Sequence, residues 1–217
     1  LWQHCEWANV RLLNDSTLTG YKLVKGWGPE RHIYFTATFS KRPDSIRIYQ
    51  EGKPVIYNTS RFRSNREAWG KNLMVVVSYQ TAEKEQICVK TAISAVSTDG
   101  ASGNIKELDN LSFDALHQKG VALWQEELSR YQVTGSDQLK ETFYTSAYHA
   151  ALHPFLFQDA DGRYRGLDKN IEKAEGFTNY TTLSLWDTYR AYHPWLNLVH
   201  QELNANIANS MLAHYNK

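Results

Sequence analysis

Apolar residues change their spacing once along this 217-residue chain. Up to about residue 111 they come in short bursts rich in β-branched and aromatic side chains: Tyr21–Val24, His32–Phe39, Ser45–Tyr49, Leu73–Tyr79 and Gln86–Ser94. Bursts of this length, partly alternating with polar positions, predict strands with one face buried. Gly26-Trp27-Gly28-Pro29, Arg42-Pro43-Asp44 and Gln50-Glu51-Gly52-Lys53-Pro54 separate them. Those residues suit tight turns, so this half predicts an antiparallel β-sandwich or part of one. From Ser112 the apolar spacing becomes helical. A helix is expected from Phe113 to Leu128 with Ser112 as its N-cap, then a break over Tyr131–Gly135, then a second helix over Gln138–His153. Pro154 disfavours helical geometry at His153 and ends that run. The phrase His153-Pro154-Phe155-Leu156 returns forty residues later as His193-Pro194-Trp195-Leu196, before a last helix at Asn206–Tyr215. Such a recurrence predicts the hairpins of a helical array or toroid.

Composition excludes several partners. Lys and Arg number 24 against 23 Asp and Glu, a net charge of +1, so no broad positive field invites nucleic acid or an anionic membrane. No apolar run reaches the ~18 residues that span a bilayer, and the N-terminus has no signal-peptide pattern. The chain starts at Leu1-Trp2-Gln3 without Met, which reads as an excised or processed piece and leaves a removed signal sequence open. Cys5 and Cys88 fit no metal-ligand spacing and leave a disulfide open. The 7 Trp, 13 Tyr and 8 Phe fit sugar stacking but more often reflect a packed core.

The candidate chemistry lies in Gly176–Arg190, where Trp186 stands beside Asp187 at the start of a helix. A pyranose has an apolar face that stacks on indole and a rim of hydroxyls that donate to a carboxylate, so the pair offers both halves of a sugar contact. A plainer reading competes. Ser184-Leu185-Trp186-Asp187 fits a capping box, and Asp187 stands three before Arg190, a spacing for an ion pair worth ~0.2–0.5 kcal/mol. Both readings can hold at once. Trp27, between two glycines, either faces a cleft or anchors its loop. Asp159-Ala160-Asp161-Gly162 suggests calcium, but glycine is fourth and the twelfth residue is Asn170, so a turn is expected. His149 and His153 lie four apart without the His-Glu-x-x-His pattern and read as one packing face of a helix. No Gly-x-Ser-x-Gly elbow or phosphate loop occurs. Sequons begin at Asn14, Asn58, Asn110 and Asn179, and they matter only in a glycosylating host.

Four segments resemble glycoside hydrolase family 92, the exo-acting α-mannosidases. They are Gly20-Tyr21 with Gly26-Trp27 and Ile33-Tyr34-Phe35; Ile93–Ser97; Thr142–His149 through His153-Pro154 to Asp161–Gly166; and Gly176–Arg190 through His193-Pro194. The resemblance implies a multidomain β and α fold: a partial β-sandwich at 1–111, a helical linker at 112–135 and the first helices of an (α/α)6 toroid at 136–217. It also implies calcium-dependent, inverting hydrolysis of terminal α-linked mannose from glycans, in a periplasmic or secreted setting. Trp186 and Asp187 match the family's substrate-side Trp-Asp, and Trp27 is a weaker candidate for the sandwich's share of the pocket. No catalytic acid, catalytic base or calcium ligand carries over onto this chain. The alternative is a non-catalytic carbohydrate-binding or structural protein of the same fold.

Overall fold

A computed structural model describes residues 4–26, 28, 30–56 and 66–217. Trp27 and the sequon at Asn58 therefore lie outside the described residues. The chain divides into two compact units, residues 1–109 with 159–161, and residues 110–158 with 162–217.

The first unit holds β1 (His4–Asn14), β2 (Thr17–Lys25), β3 (Arg31–Phe39), β4 (Ser45–Gln50), β5 (Lys53–Pro54), β6 (Glu67–Gly70), β7 (Leu73–Ser78), β8 (Val89–Ser94) and the short helix α1 (Thr98–Asn104). Among the described residues, one sheet runs β6-β1-β2-β3-β8 and a second runs β5-β4-β7, with antiparallel pairing throughout. Strand alternation sends Val10 and Ala68 to one face of the larger sheet. There they pack on Ile48 of the smaller one, with Leu12, Phe35, Leu73 and Val75 around them. The expected sandwich is formed. Its longest strand, β1, was not expected, because Glu6, Asn9 and Arg11 interrupt its apolar pattern.

The opposite face of the larger sheet is more polar and carries α1. Ser97 caps that helix by accepting from the Gly100 amide at 2.9 Å, and Thr36 Oγ1 lies 3.0 Å from Ser102 Oγ. Beneath it sits Asp159, only 3% exposed, accepting from Ser94 Oγ at 2.7 Å and Asn104 Nδ2 at 2.9 Å. The Ala160 amide returns a bond to Asn104 Oδ1 at 2.8 Å. The Asp-x-Asp-Gly segment is thus the expected turn, and its first carboxylate is engaged in a buried polar lock. The lock depends on glycine at position 100, where an added Cβ would stand 2.1 Å from Asp159 Oδ2.

The second unit holds α2 (Phe113–Leu128), α3 (Asp137–Ala151), β9 (Phe155–Leu156), β10 (Arg163–Arg165), β11 (Ile171–Lys173), β12 (Tyr180–Thr181), α4 (Leu185–Thr188), α5 (Tyr192–Val199) and α6 (Gln201–Tyr215). Ser112 and Ser136 cap α2 and α3 by accepting from the Ala115 and Leu139 amides. Aromatic contacts tie the helices together: Trp124 lies 4.5 Å from Tyr148 between ring centroids, and Tyr131 lies 5.4 Å from Trp195.

Two expectations fail here. Because α3 ends at Ala151, His153 does not share a helix face with His149. The two His-Pro phrases are also not equivalent: the first follows the end of α3, whereas His193-Pro194 lies in the first turn of α5. Proline fits there because a first-turn amide has no partner within the helix.

Candidate functional site

Trp186 and Asp187 are carried by α4, a single helical turn. Isolated turns do not hold themselves together, so the surroundings fix its position. Leading into it, β12 pairs antiparallel with β9, Tyr180 opposite Leu156 and Thr181 opposite Phe155. Side chains of α6 hold the start of this strand: Asn206 Oδ1 accepts from the Thr178 amide at 2.9 Å, and Ser210 Oγ accepts from the Tyr180 amide at 3.0 Å. Asn179 is wholly buried, its amide donating to Gln158 Oε1 at 2.7 Å and its Nδ2 to the Phe157 carbonyl at 2.8 Å. That burial also closes the Asn179 sequon to glycosylation in the folded chain. Past β12, His153 Nε2 donates to the Thr182 carbonyl at 2.9 Å, and the Tyr192 hydroxyl donates to the His153 carbonyl at 2.7 Å. Burial pushes the Tyr192 hydroxyl up to about 12, so it stays a donor across the physiological range.

The expected capping box is replaced by another bond. Ser184 is the N-cap residue with φ −110° and ψ 89°, and its side chain makes no bond to a helix amide. Ser97, Ser112 and Ser136 do cap, with ψ between 158° and 169°. Ser184 Oγ instead donates directly to Asp187 Oδ2 at 2.5 Å. The Asp187–Arg190 ion pair is also not formed. Arg190 Nε donates to the Tyr189 hydroxyl at 2.6 Å, and its guanidinium carbon lies 5.4 Å from the Tyr189 ring centre.

The turn presents its chemistry outward. Trp186 is 88% exposed, and Asp187 and Tyr189 are exposed beside it. Ser184 occupies Asp187 Oδ2 and leaves Oδ1 without a protein partner among the described residues. An indole face next to an available carboxylate oxygen can stack on and hydrogen-bond a polyol ring. Behind the turn, His153, Thr182, Ser184, Thr188, Tyr192 and His193 line a small pocket. Sequence reasoning placed His193 in a recurring His-Pro phrase without a role at this turn and did not single out Tyr192 or Asn204. Trp27 lies outside the described residues. Among the described residues no group of three or more His, Cys, Asp or Glu could hold a metal ion, so the donor set for the calcium implied by the resemblance is not found among them.

The profile "Glycosyl hydrolase family 92 catalytic domain" matches residues 100–217, and "Glycosyl hydrolase family 92 N-terminal domain" matches residues 1–94. Among solved structures, the family GH92 alpha-mannosidase BT3965 from Bacteroides thetaiotaomicron is 71% identical with a TM-score of 0.96, and the match covers 100% of this chain and 29% of that one. The same enzyme has been solved in complex with mannoimidazole. The gh92 family glycosyl hydrolase ccman5 superposes with a TM-score of 0.87 at 22% identity, covering 98% of this chain and 28% of its own. The family GH92 inverting mannosidase BT2199 from Bacteroides thetaiotaomicron VPI-5482 gives 0.83 at 21%, covering 97% and 28%. At those identities these two show the fold alone. No curated protein sequence matches. The chain therefore spans less than a third of the length of these solved relatives. With the catalytic-domain profile matching more than half of its residues, the chain belongs to glycoside hydrolase family 92.

Proposed function

We propose that this chain is part of an exo-acting α-mannosidase that removes terminal α-linked mannose from glycans. The observation that carries the proposal is the exposed Trp186 beside Asp187, whose Oδ1 is available, in a chain 71% identical to an alpha-mannosidase solved with mannoimidazole. In this reading Trp186 stacks on the apolar face of the terminal sugar and Asp187 accepts from its hydroxyls. Trp27 is proposed as the sandwich's contribution to the same pocket.

Hydrolysis with inversion requires an acid and a base ~6.5–9.5 Å apart, one protonating the leaving oxygen and one activating water. We assign neither role to a residue of this chain, and both belong to the remainder of a longer, toroidal catalytic domain. Calcium is proposed for the whole enzyme, where the sugar hydroxyls would be among its oxygen ligands, and no protein ligand is assigned in this chain. A periplasmic or secreted setting suits a substrate of this kind.

The test is release of free mannose from an α-linked mannobiose by the full-length protein, with proton NMR reading the anomer first formed. The β-anomer is expected. Binding of mannobiose without release of mannose would favour a non-catalytic sugar binder, and absence of both would overturn the proposal.

A further inference from the structure

We propose that His193 is a positioning residue that fixes the rotation of the Trp186–Asp187 turn and thereby its contact with the sugar. This rests on the reading of Asp187 as a mannose ligand. Four residues cannot set their own orientation, since α4 closes only the backbone bonds from the Asp187 and Thr188 amides to the Ser184 carbonyl and from Tyr189 to Leu185. The side chain that faces inward from the turn is Thr188, half-buried between exposed neighbours.

Thr188 Oγ1 lies 3.0 Å from His193 Nε2, and His193 Nδ1 lies 2.8 Å from Asn204 Oδ1. Asn204 Nδ2 in turn donates to Asn197 Oδ1 at 2.7 Å. That last bond turns the amide oxygen of Asn204 toward the ring, so Nδ1 is the protonated nitrogen. In the neutral imidazole Nε2 is then the acceptor for the Thr188 hydroxyl. The Ser184 carbonyl, 3.0 Å from Thr188 Oγ1, is the alternative acceptor within the turn itself. A continuous path thus runs from α4 through the first turn of α5 to α6, whose Asn206 and Ser210 also hold the strand that leads into the turn.

Successive helical residues are rotated by about 100°. Pinning Thr188 inward therefore sends Asp187 and Trp186 outward together. Among the described residues neither makes a hydrogen bond to His193, so the histidine acts through Thr188 rather than on a ligand.

The experiment uses the full-length protein with mannoimidazole as the binding probe, and hydrogen exchange of the Asp187, Thr188 and Tyr189 amides as the second readout. His193→Phe keeps a ring of similar size without its nitrogens, Thr188→Val removes the hydroxyl, and Thr188→Ser restores it. The phenylalanine and valine variants are each expected to weaken mannoimidazole about tenfold, the factor one hydrogen bond of ordinary strength supplies, and to raise exchange of the three amides similarly. The serine variant is expected to retain wild-type behaviour. The double variant is expected to be no weaker than either single one, because both break the same path.

Wild-type affinity and exchange in His193→Phe overturn the positioning role, as does additivity in the double variant. Where His193→Phe does not fold, Asn204→Leu breaks the path at its far end and leaves the Thr188–Ser184 bond in place, and wild-type affinity and exchange in that variant overturn the role. Asp187→Ala separates the two ideas. Wild-type affinity in that variant overturns the underlying assignment of Asp187, whereas weakened Asp187→Ala beside unaffected His193→Phe overturns only the role of His193.

Discussion

Asp187 carries two readings, cap and ligand, and one substitution separates them because their magnitudes differ. In the folded chain its carboxylate makes one side-chain bond, from Ser184 Oγ at 2.5 Å, between exposed groups. Asp187→Ala removes that bond and leaves the backbone bonds of the Asp187 and Thr188 amides to Ser184 in place. The loss of stability is expected to be no more than about 1 kcal/mol. That is a fall in melting temperature of about 2–4 °C for a chain of this size and less in a longer one. The same kind of charge-assisted bond is worth more, about 1.5–3 kcal/mol, once a bound sugar covers the carboxylate and excludes water from it. Binding of mannoimidazole by the full-length protein is then expected to weaken roughly 10- to 150-fold. Calorimetric titration and a thermal melt on the same preparation give both numbers. Ser184→Ala is the control: it removes the same bond and keeps the carboxylate, so its melt should match that of Asp187→Ala while its affinity stays near wild type. A melt lowered by more than about 5 °C with unchanged affinity would refute the ligand reading and leave Asp187 a structural residue.

Other substitutions test the fold and its response to pH. Gly100→Ala places a Cβ 2.1 Å from Asp159 Oδ2 and 2.6 Å from Ser94 Oγ, and should destabilise by about 1–3 kcal/mol. Gly103→Ala, in the same helix with nothing within 4 Å, should be neutral or stabilising, and urea midpoints compare the two. Burial holds the His214 imidazole below its usual range, so the unfolded chain binds its proton more readily than the folded one. Its contribution to stability is therefore full above about pH 6.5 and lost as pH falls through the lower folded value, so the melting temperature of His214→Phe should drop less than wild type between pH 7.5 and pH 5.5. Cys5 on β1 and Cys88 just before β8 are separated by two intervening strands, roughly 14 Å, beyond the ~7 Å limit for a bridge. Mass spectrometry after alkylation without reductant should show two adducts, and one or none would contradict this strand order.

The sequence by itself determined the shift from mainly strands to mainly helices near residue 112, because side-chain spacing follows the period of the backbone that must bury one face, whereas α1, ahead of that point, was not legible in it. It also placed the serine cap of α2, and it put an indole beside a carboxylate at a helix start, since these depend on neighbours in the chain. Tertiary structure decided what distance along the chain conceals. Strand β1 holds the middle of a sheet despite its polar residues, because Arg11 and Asn9 sit on the face turned away from Val10 and the second sheet. Asp159 became a lock on Ser94, sixty-five residues earlier, and Asn179 disappeared into the interior. The surroundings of Asp187 belong to the same class. Ser184 makes no cap bond and donates to Asp187 instead, and Thr188 is linked to Asn204 of α6 through His193. Local pattern specifies which groups a turn carries, whereas packing against α6 decides which way they point.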